Sequence, residues 1–218
     1  MACAARKSKG FKMDLQKFRV LPLLGIVRGI APQEIEPLVE TSVASGLQAI
    51  EITMNTEGAA DLIRQMTTVA GPELMVGAGT VRDTHQLHQA LGAGASFIVM
   101  PTLVEPVVEY CQEHGIAVFP GALTPGEIHR AWQNGATMVK LFPSSCFGPS
   151  YFKEIKAPFQ DIELLACGGI TPENAGSYFA AGASAVAFGG SVFNPTWLRN
   201  REFNKIGLRI EAFVQSVR

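Results

Sequence analysis

The sequence predicts an α/β fold, a (β/α)8 or TIM barrel forming one domain, and three observations carry that prediction. Short apolar runs alternate with helical patterns from Leu21 to the end, and such alternation means a parallel sheet faced by helices. Gly46, Gly94, Gly115, Gly135 and Gly182 each fall just after a helical stretch and shortly before an apolar strand. That is the left-handed cap position, where a side chain is costly. The steps Gly94–Gly115 and Gly115–Gly135 are 21 and 20 residues, about one strand–helix unit. Finally, polar and glycine residues gather at the C-terminal ends of the strands, while the strand starts are apolar.

In order, Leu21–Val27 reads as the first strand and Pro32–Ser45 as the first helix of the alternation. The turn between them, Arg28–Pro32, is not a dinucleotide fingerprint, which counts against a doubly wound open sheet. Strand Ala49–Thr53 precedes helix Gly58–Thr68, and Leu74–Ala78 precedes Asp83–Leu91. Then come Phe97–Met100 with Glu105–His114, Ala117–Pro120 with Thr124–Gln133, and Met138–Leu141 with Tyr151–Lys156. Glu163–Ala166 leads to Pro172–Ala180, for which Thr171 is the N-cap and Pro172 the first helical residue. Ala185–Phe188 is the eighth strand, a short helix is expected from Ser191, and Arg201–Val217 closes the chain.

Composition narrows the function classes. The 218 residues are 47% hydrophobic and 17% charged, enough for a large core and against disorder. A formal net charge of −1 leaves no basic surplus for nucleic acid. No apolar run approaches the roughly 20 residues that span a bilayer, so a membrane role is not expected. The start, residues 1–12, reads as a tail with no signal-peptide core, and residues 13–218 as the domain; Met13 could be the natural first residue. Cys3, Cys111, Cys146 and Cys167 fit neither a zinc pattern nor a disulfide framework, which suggests reduced thiols in a cytoplasmic protein. His85 and His88 could share a helix face but lack further ligands, so no metal is expected.

The chemistry centres on MVKLFPSS, residues 138–145. Lys140 stands inside a run that otherwise reads as a buried strand. Desolvation disfavours an ammonium and leaves a nucleophilic amine, the starting material for a Schiff base. A lysine at a strand end that snorkels to solvent is the alternative. In AIEIT, residues 49–53, alternation puts Glu51 and Thr53 on one face, as it puts Lys140 with Met138 and Phe142. If both faces point inward, amine and carboxylate meet near the barrel top, as a working pair or as a structural ion pair. Two ionisable groups on adjoining apolar strands are costly to bury for stability alone, which favours the working pair.

Two glycine pairs supply another wall. CGGITPEN, residues 167–174, and FGGS, residues 188–191, follow the seventh and eighth strands. Gly168, Gly169, Gly189, Gly190 and Ser191 there can bring backbone N–H groups to an anion, and these two loops are the common phosphate site of such barrels. Tight turns alone are the plainer explanation of the same glycines.

In order and spacing, EITMNTE, VGAGTV, VMPTLVEP, VKLFPSS, CGGITPEN and FGGS resemble the 2-keto-3-deoxy-6-phosphogluconate/4-hydroxy-2-oxoglutarate aldolases, from about Leu21 to Phe193. The resemblance implies a class I lyase in which Lys140 forms the Schiff base and Glu51 is the acid/base. It implies that Thr80 helps bind the substrate carboxylate, that Pro101 and Phe142 shape the pocket, and that Gly168, Gly169, Gly190 and Ser191 hold phosphate. It also implies a homotrimer with no metal or other cofactor, acting on a small phosphorylated keto acid.

Where phosphogluconate-specific members carry an arginine, this chain has Asn55; with Arg28 and FPSSCFGP it is more similar to the phosphogalactonate branch. Arg28 is therefore expected to take the carboxylate. Cys167 stands at a position that helps separate the two epimers and matches neither usual residue. The expected reaction is reversible cleavage of 2-keto-3-deoxy-6-phosphogluconate to pyruvate and D-glyceraldehyde 3-phosphate, with the galactonate epimer as the alternative substrate. A phosphate-barrel isomerase, epimerase or synthase, a dehydratase or lyase acting on non-phosphorylated keto acids, and a non-catalytic metabolite binder are the competing readings.

Overall fold

The computed structural model describes residues 12–217, so the expected tail lies, but for Lys12, outside the described residues. Nine parallel strands form the sheet: β1 (Leu23–Val27), β2 (Ala49–Thr53), β3 (Met75–Gly79), β4 (Phe97–Val99), β5 (Ala117–Phe119), β6 (Gly121–Ala122), β7 (Val139–Leu141), β8 (Leu164–Cys167) and β9 (Ala185–Phe188). Their order is β5-β4-β3-β2-β1-β9-β8-β7-β6.

The ends of that order are consecutive in the chain, so the sheet curls into a barrel. The expected fifth strand, 117–120, is divided at Pro120, which has no N–H to give a ladder. Its carbonyl still accepts from Lys140 N at 2.9 Å, and Val118 O accepts from Thr137 N at 2.9 Å, which joins the two edges.

Among the described residues, ten α-helices accompany the strands: α1 (Leu15–Val20), α2 (Ile35–Ala44), α3 (Ala59–Ala70), α4 (Thr84–Gly92), α5 (Glu105–His114), α6 (Pro125–Gln133), α7 (Gly148–Lys156), α8 (Pro172–Ala180), α9 (Pro195–Arg199) and α10 (Phe203–Val217). Strand alternation divides the buried residues into two layers. Val27, Ile50, Ile52, Val139 and Val186 pack outward under the helices. Leu24, Ala49, Phe97, Phe119, Met138, Leu165 and Ala185 fill the interior.

Helix α1 was not expected from the sequence, and it plugs the N-terminal mouth of the barrel. Asp14 caps it by accepting from Gln16 N and Lys17 N, and Phe18 is fully buried 6.1 Å, ring to ring, from Phe119. At six residues with one buried side chain, α1 offers no 3.6-residue period to read.

A second correction concerns the helix expected from Ser191. Residues 190–193 form a turn, and α9 starts at Pro195 because Asn194 Oδ1 accepts from Thr196 N at 2.8 Å and proline suits the first helical position. No described helix is long and apolar enough to cross a membrane.

Candidate active site

At the C-terminal mouth the strands surround a cavity of about 500 Å3. Glu51, Lys140, Arg28, Thr80, Pro101, Phe142 and Cys167 line it, as do Gly168, Gly169, Gly189, Gly190 and Ser191. Of the residues singled out from the sequence, only Asn55 is not in the lining; it is exposed on the turn after β2. That turn closes through Thr56 N to Thr53 O at 2.9 Å and directs Thr56, not Asn55, inward.

Glu51 faces inward in register with Ile26 of β1 and Gly77 of β3. It is 1% exposed, and its Oε2 has no hydrogen-bond partner among the described residues. Burial pushes its pKa up to about 7, against the downward pull of Lys140 and then Arg28. A carboxyl near that value can both give and take a proton at neutral pH.

Lys140 is 7% exposed, in register with Gly121 and Leu165, and its Nζ lies 5.1 Å from the centre of the Phe142 ring. It forms no ion pair among the described residues. The two strands are not adjoining as the sequence suggested: β1, β9 and β8 stand between β2 and β7. Amine and carboxylate therefore face each other across the barrel interior, and the structural ion pair is not formed. Cys167 lies beside the amine, and burial raises its thiol pKa against the pull of Lys140.

Thr80 adopts φ +56, a strained conformation for a β-branched residue, right at the cavity wall. Arg28 is exposed at the rim, and the backbone beside it is held by Gly29 N donating to Thr56 Oγ1 at 3.1 Å. Thr56 Oγ1 also meets Thr53 Oγ1 at 3.1 Å, so the Arg28 turn is tied to the strand that carries Glu51.

A similar bridge joins β7 to β8. Ser144 Oγ donates to Leu141 O at 2.7 Å and accepts from Cys167 N at 3.0 Å. Neither Thr56 nor Ser144 was singled out from the sequence. The signal was a small hydroxyl residue three positions after a strand's last residue, free to turn back on it.

The glycine loops form the cavity's other wall. Gly168 and Gly169 have φ +97 and +74, and a Cβ at Gly169 would lie 2.7 Å from Ser145 Cβ. Among the described residues, the N–H groups of Gly169, Gly190 and Ser191 have no protein acceptor. Such a wall suits a tetrahedral anion. No described group of three or more His, Cys, Asp or Glu could hold a metal ion.

The model of the KDPG and KHG aldolase family matches residues 13–208. The 2-dehydro-3-deoxy-6-phosphogalactonate aldolase of Escherichia coli K12 is 32% identical over 198 residues, 90% of this chain and 97% of that one. The 2-dehydro-3-deoxy-phosphogluconate aldolase of Haemophilus influenzae is 30% identical over 206 residues, 94% of this chain and 96% of that one. The solved structure described as native KDPGal has a TM-score of 0.84 at 32% identity, covering 90% of this chain and 94% of that one.

Proposed function

The chain belongs to the KDPG and KHG aldolase family and is a lyase, and on that premise we propose that it cleaves 2-keto-3-deoxy-6-phosphogluconate reversibly to pyruvate and D-glyceraldehyde 3-phosphate through an imine on Lys140. The observation that carries this reading is the cavity shared by Lys140, Glu51 and the two glycine loops. Lys140 Nζ adds to the C2 ketone, and Glu51 passes the proton that lets the carbinolamine lose water as the iminium forms. Glu51, through a water, then takes the proton of the C4 hydroxyl. The C3–C4 bond breaks, its electron pair moves toward the iminium, and the aldehyde leaves. Protonation of the enamine at C3 and hydrolysis of the imine release pyruvate and restore the amine. The iminium is itself the electron sink, so the chemistry requires no metal or organic cofactor.

Arg28 and Thr80 are assigned to the C1 carboxylate, and the N–H groups of the glycine loops to the phosphate. Phosphate held away from the reacting carbons sets the C3–C4 bond in line for cleavage. A second reading keeps this chemistry on the galactonate epimer. Arg28 in the cavity with Asn55 outside it favours that reading.

The proposal extends to a cytoplasmic homotrimer. The three free described cysteines fit a reducing compartment, and the exposed Phe147 fits a face that a second copy covers. Sedimentation tests the trimer.

Borohydride reduction with pyruvate is the direct test of the mechanism: a pyruvate-derived adduct forms on Lys140, and Lys140→Met abolishes both adduct and cleavage. An adduct elsewhere, or cleavage by the Met variant, ends the proposal. Parallel assays with the two epimers decide between the substrates.

A further inference from the structure

The loops after β8 and β9 belong to different strands, yet both must hold their N–H groups toward one anion. The mechanism above leaves open what fixes their separation. Ser191 Oγ spans the gap inside the cavity wall by donating to Ile170 O at 2.8 Å. A second tie comes from behind, from the C-terminal helix α10. Arg209 Nε donates to Ser191 O at 3.3 Å, while Nη1 and Nη2 reach the two carboxylate oxygens of Glu173 at 2.6 and 3.3 Å. Glu173 sits in the first turn of α8, four residues beyond Gly169. One guanidinium thus grips the β9 loop through a carbonyl and the β8 loop through the helix that follows it.

The grip is also electrostatic. Arg209 is the first cause holding the Glu173 carboxyl at about 2, so Glu173 is ionised at any working pH. The first turn of α8 attracts negative charge, and an unpaired carboxylate there would compete with a phosphate ester for the same positive end. Arg209 neutralises that carboxylate and keeps it turned outward, with Glu173 66% and Arg209 30% exposed.

On the phosphate reading above, we infer that Arg209 is a positioning residue for phosphate recognition: it clamps the two glycine loops together and removes Glu173 as a competing anion. It contacts neither the reacting carbons nor the amine.

The test compares the phosphorylated substrate with its unphosphorylated counterpart in wild type, Arg209→Met and Arg209→Lys. Wild type prefers the ester. Arg209→Met raises KM for the ester about tenfold, the scale of one charge-assisted hydrogen bond, leaves kcat within about twofold, and leaves the unphosphorylated substrate unaffected. Inhibition by inorganic phosphate weakens in parallel. Arg209→Lys keeps the charge but not the fork and falls between the two; it also carries the test if the Met variant does not fold. An ester KM unchanged in the variants, or an equal loss on both substrates, overturns the clamp while the phosphate reading stands. A wild-type enzyme indifferent to the ester overturns the phosphate reading and the clamp with it.

Discussion

Gly79 is the position where a single methyl group should strike the chemistry and little else. It ends β3 in register with Thr53, and a Cβ placed there would lie 2.1 Å from Glu51 Oε1 and 2.5 Å from its Cδ. Ordinary contact needs about 3.5 Å, so in Gly79→Ala the carboxylate must retreat by more than about 1 Å. Glu51 is fully enclosed, and the retreat takes it out of line with the cavity. A displacement of that size costs about 100-fold in kcat, or about 2.7 kcal/mol of transition-state stabilisation.

Gly77, two residues earlier on the same strand, supplies the control. A Cβ there meets the buried Phe97 ring at 2.3 Å, in the interior packing below the carboxylate. Gly77→Ala should therefore cost about 1–3 kcal/mol of stability and leave kcat per folded molecule within a few-fold. Pyruvate release in a coupled steady-state assay, set beside urea unfolding, reads both quantities. The reasoning fails if folded Gly79→Ala keeps kcat within about threefold of wild type, or if Gly77→Ala loses as much turnover as Gly79→Ala.

Further outcomes follow from the same site. The folded Glu51 pKa, about 7, lies above its ordinary 4.5, so the native state binds the extra proton between those values and loses stability as pH rises through that window. The loss is about 3 kcal/mol, complete above pH 7, and Glu51→Gln should lack it; urea unfolding at pH 4.5 and pH 8 that gives both proteins the same slope would contradict the assignment. The acid limb of kcat/KM, near pH 7 in wild type, should vanish in Glu51→Gln along with most of the turnover. Arg28→Met should raise KM for pyruvate in the condensation direction by about 10- to 100-fold, the worth of a charge-assisted pair, with a smaller change in kcat. An unchanged pyruvate KM would remove Arg28 from carboxylate binding.

Much of the barrel was legible because local and global preferences agree. Ala49–Thr53, Glu105–His114, Pro172–Ala180 and Ala185–Phe188 appear with the bounds the sequence suggested, each framed by a glycine, a proline or a clear change of apolar period. The strand ends gave nearly the whole cavity lining, since a residue's parity on a strand tells which way it faces. Parity says nothing about which strands are neighbours. That is why Glu51 and Lys140 were expected on adjoining strands and instead stand with three strands between them. Asn55 was misplaced for a related reason: turn geometry, not strand alternation, aims its side chain. Arg209 was out of reach altogether, because its partners Ser191 and Glu173 lie 18 and 36 residues away and no local pattern links them.

The interior packing accounts for how one barrel can hold both an unsolvated carboxylate and an open cavity. Its lower part is filled by aromatic rings: Phe18 from the α1 plug, Phe119, and Phe97 at 6.0 Å from Phe119. Its upper part is lined by residues too small to close it, among them Ala187 on β9 and Gly189 and Gly190 beyond it, while Gly79 on β3 leaves room for the Glu51 carboxylate. The rings keep water from reaching Glu51 from below, which is the burial that raises its pKa; the small residues leave room above for a keto acid between it and Lys140. Filling the upper part with larger side chains would bring more apolar burial and a tighter core. The chain instead keeps a buried carboxylate whose Oε2 has no hydrogen-bond partner among the described residues, a cost of a kind that proteins concentrate where chemistry is done. The aromatic plug and the glycine strand thus act on Glu51 together: one sets its proton affinity, and the other gives it something to reach.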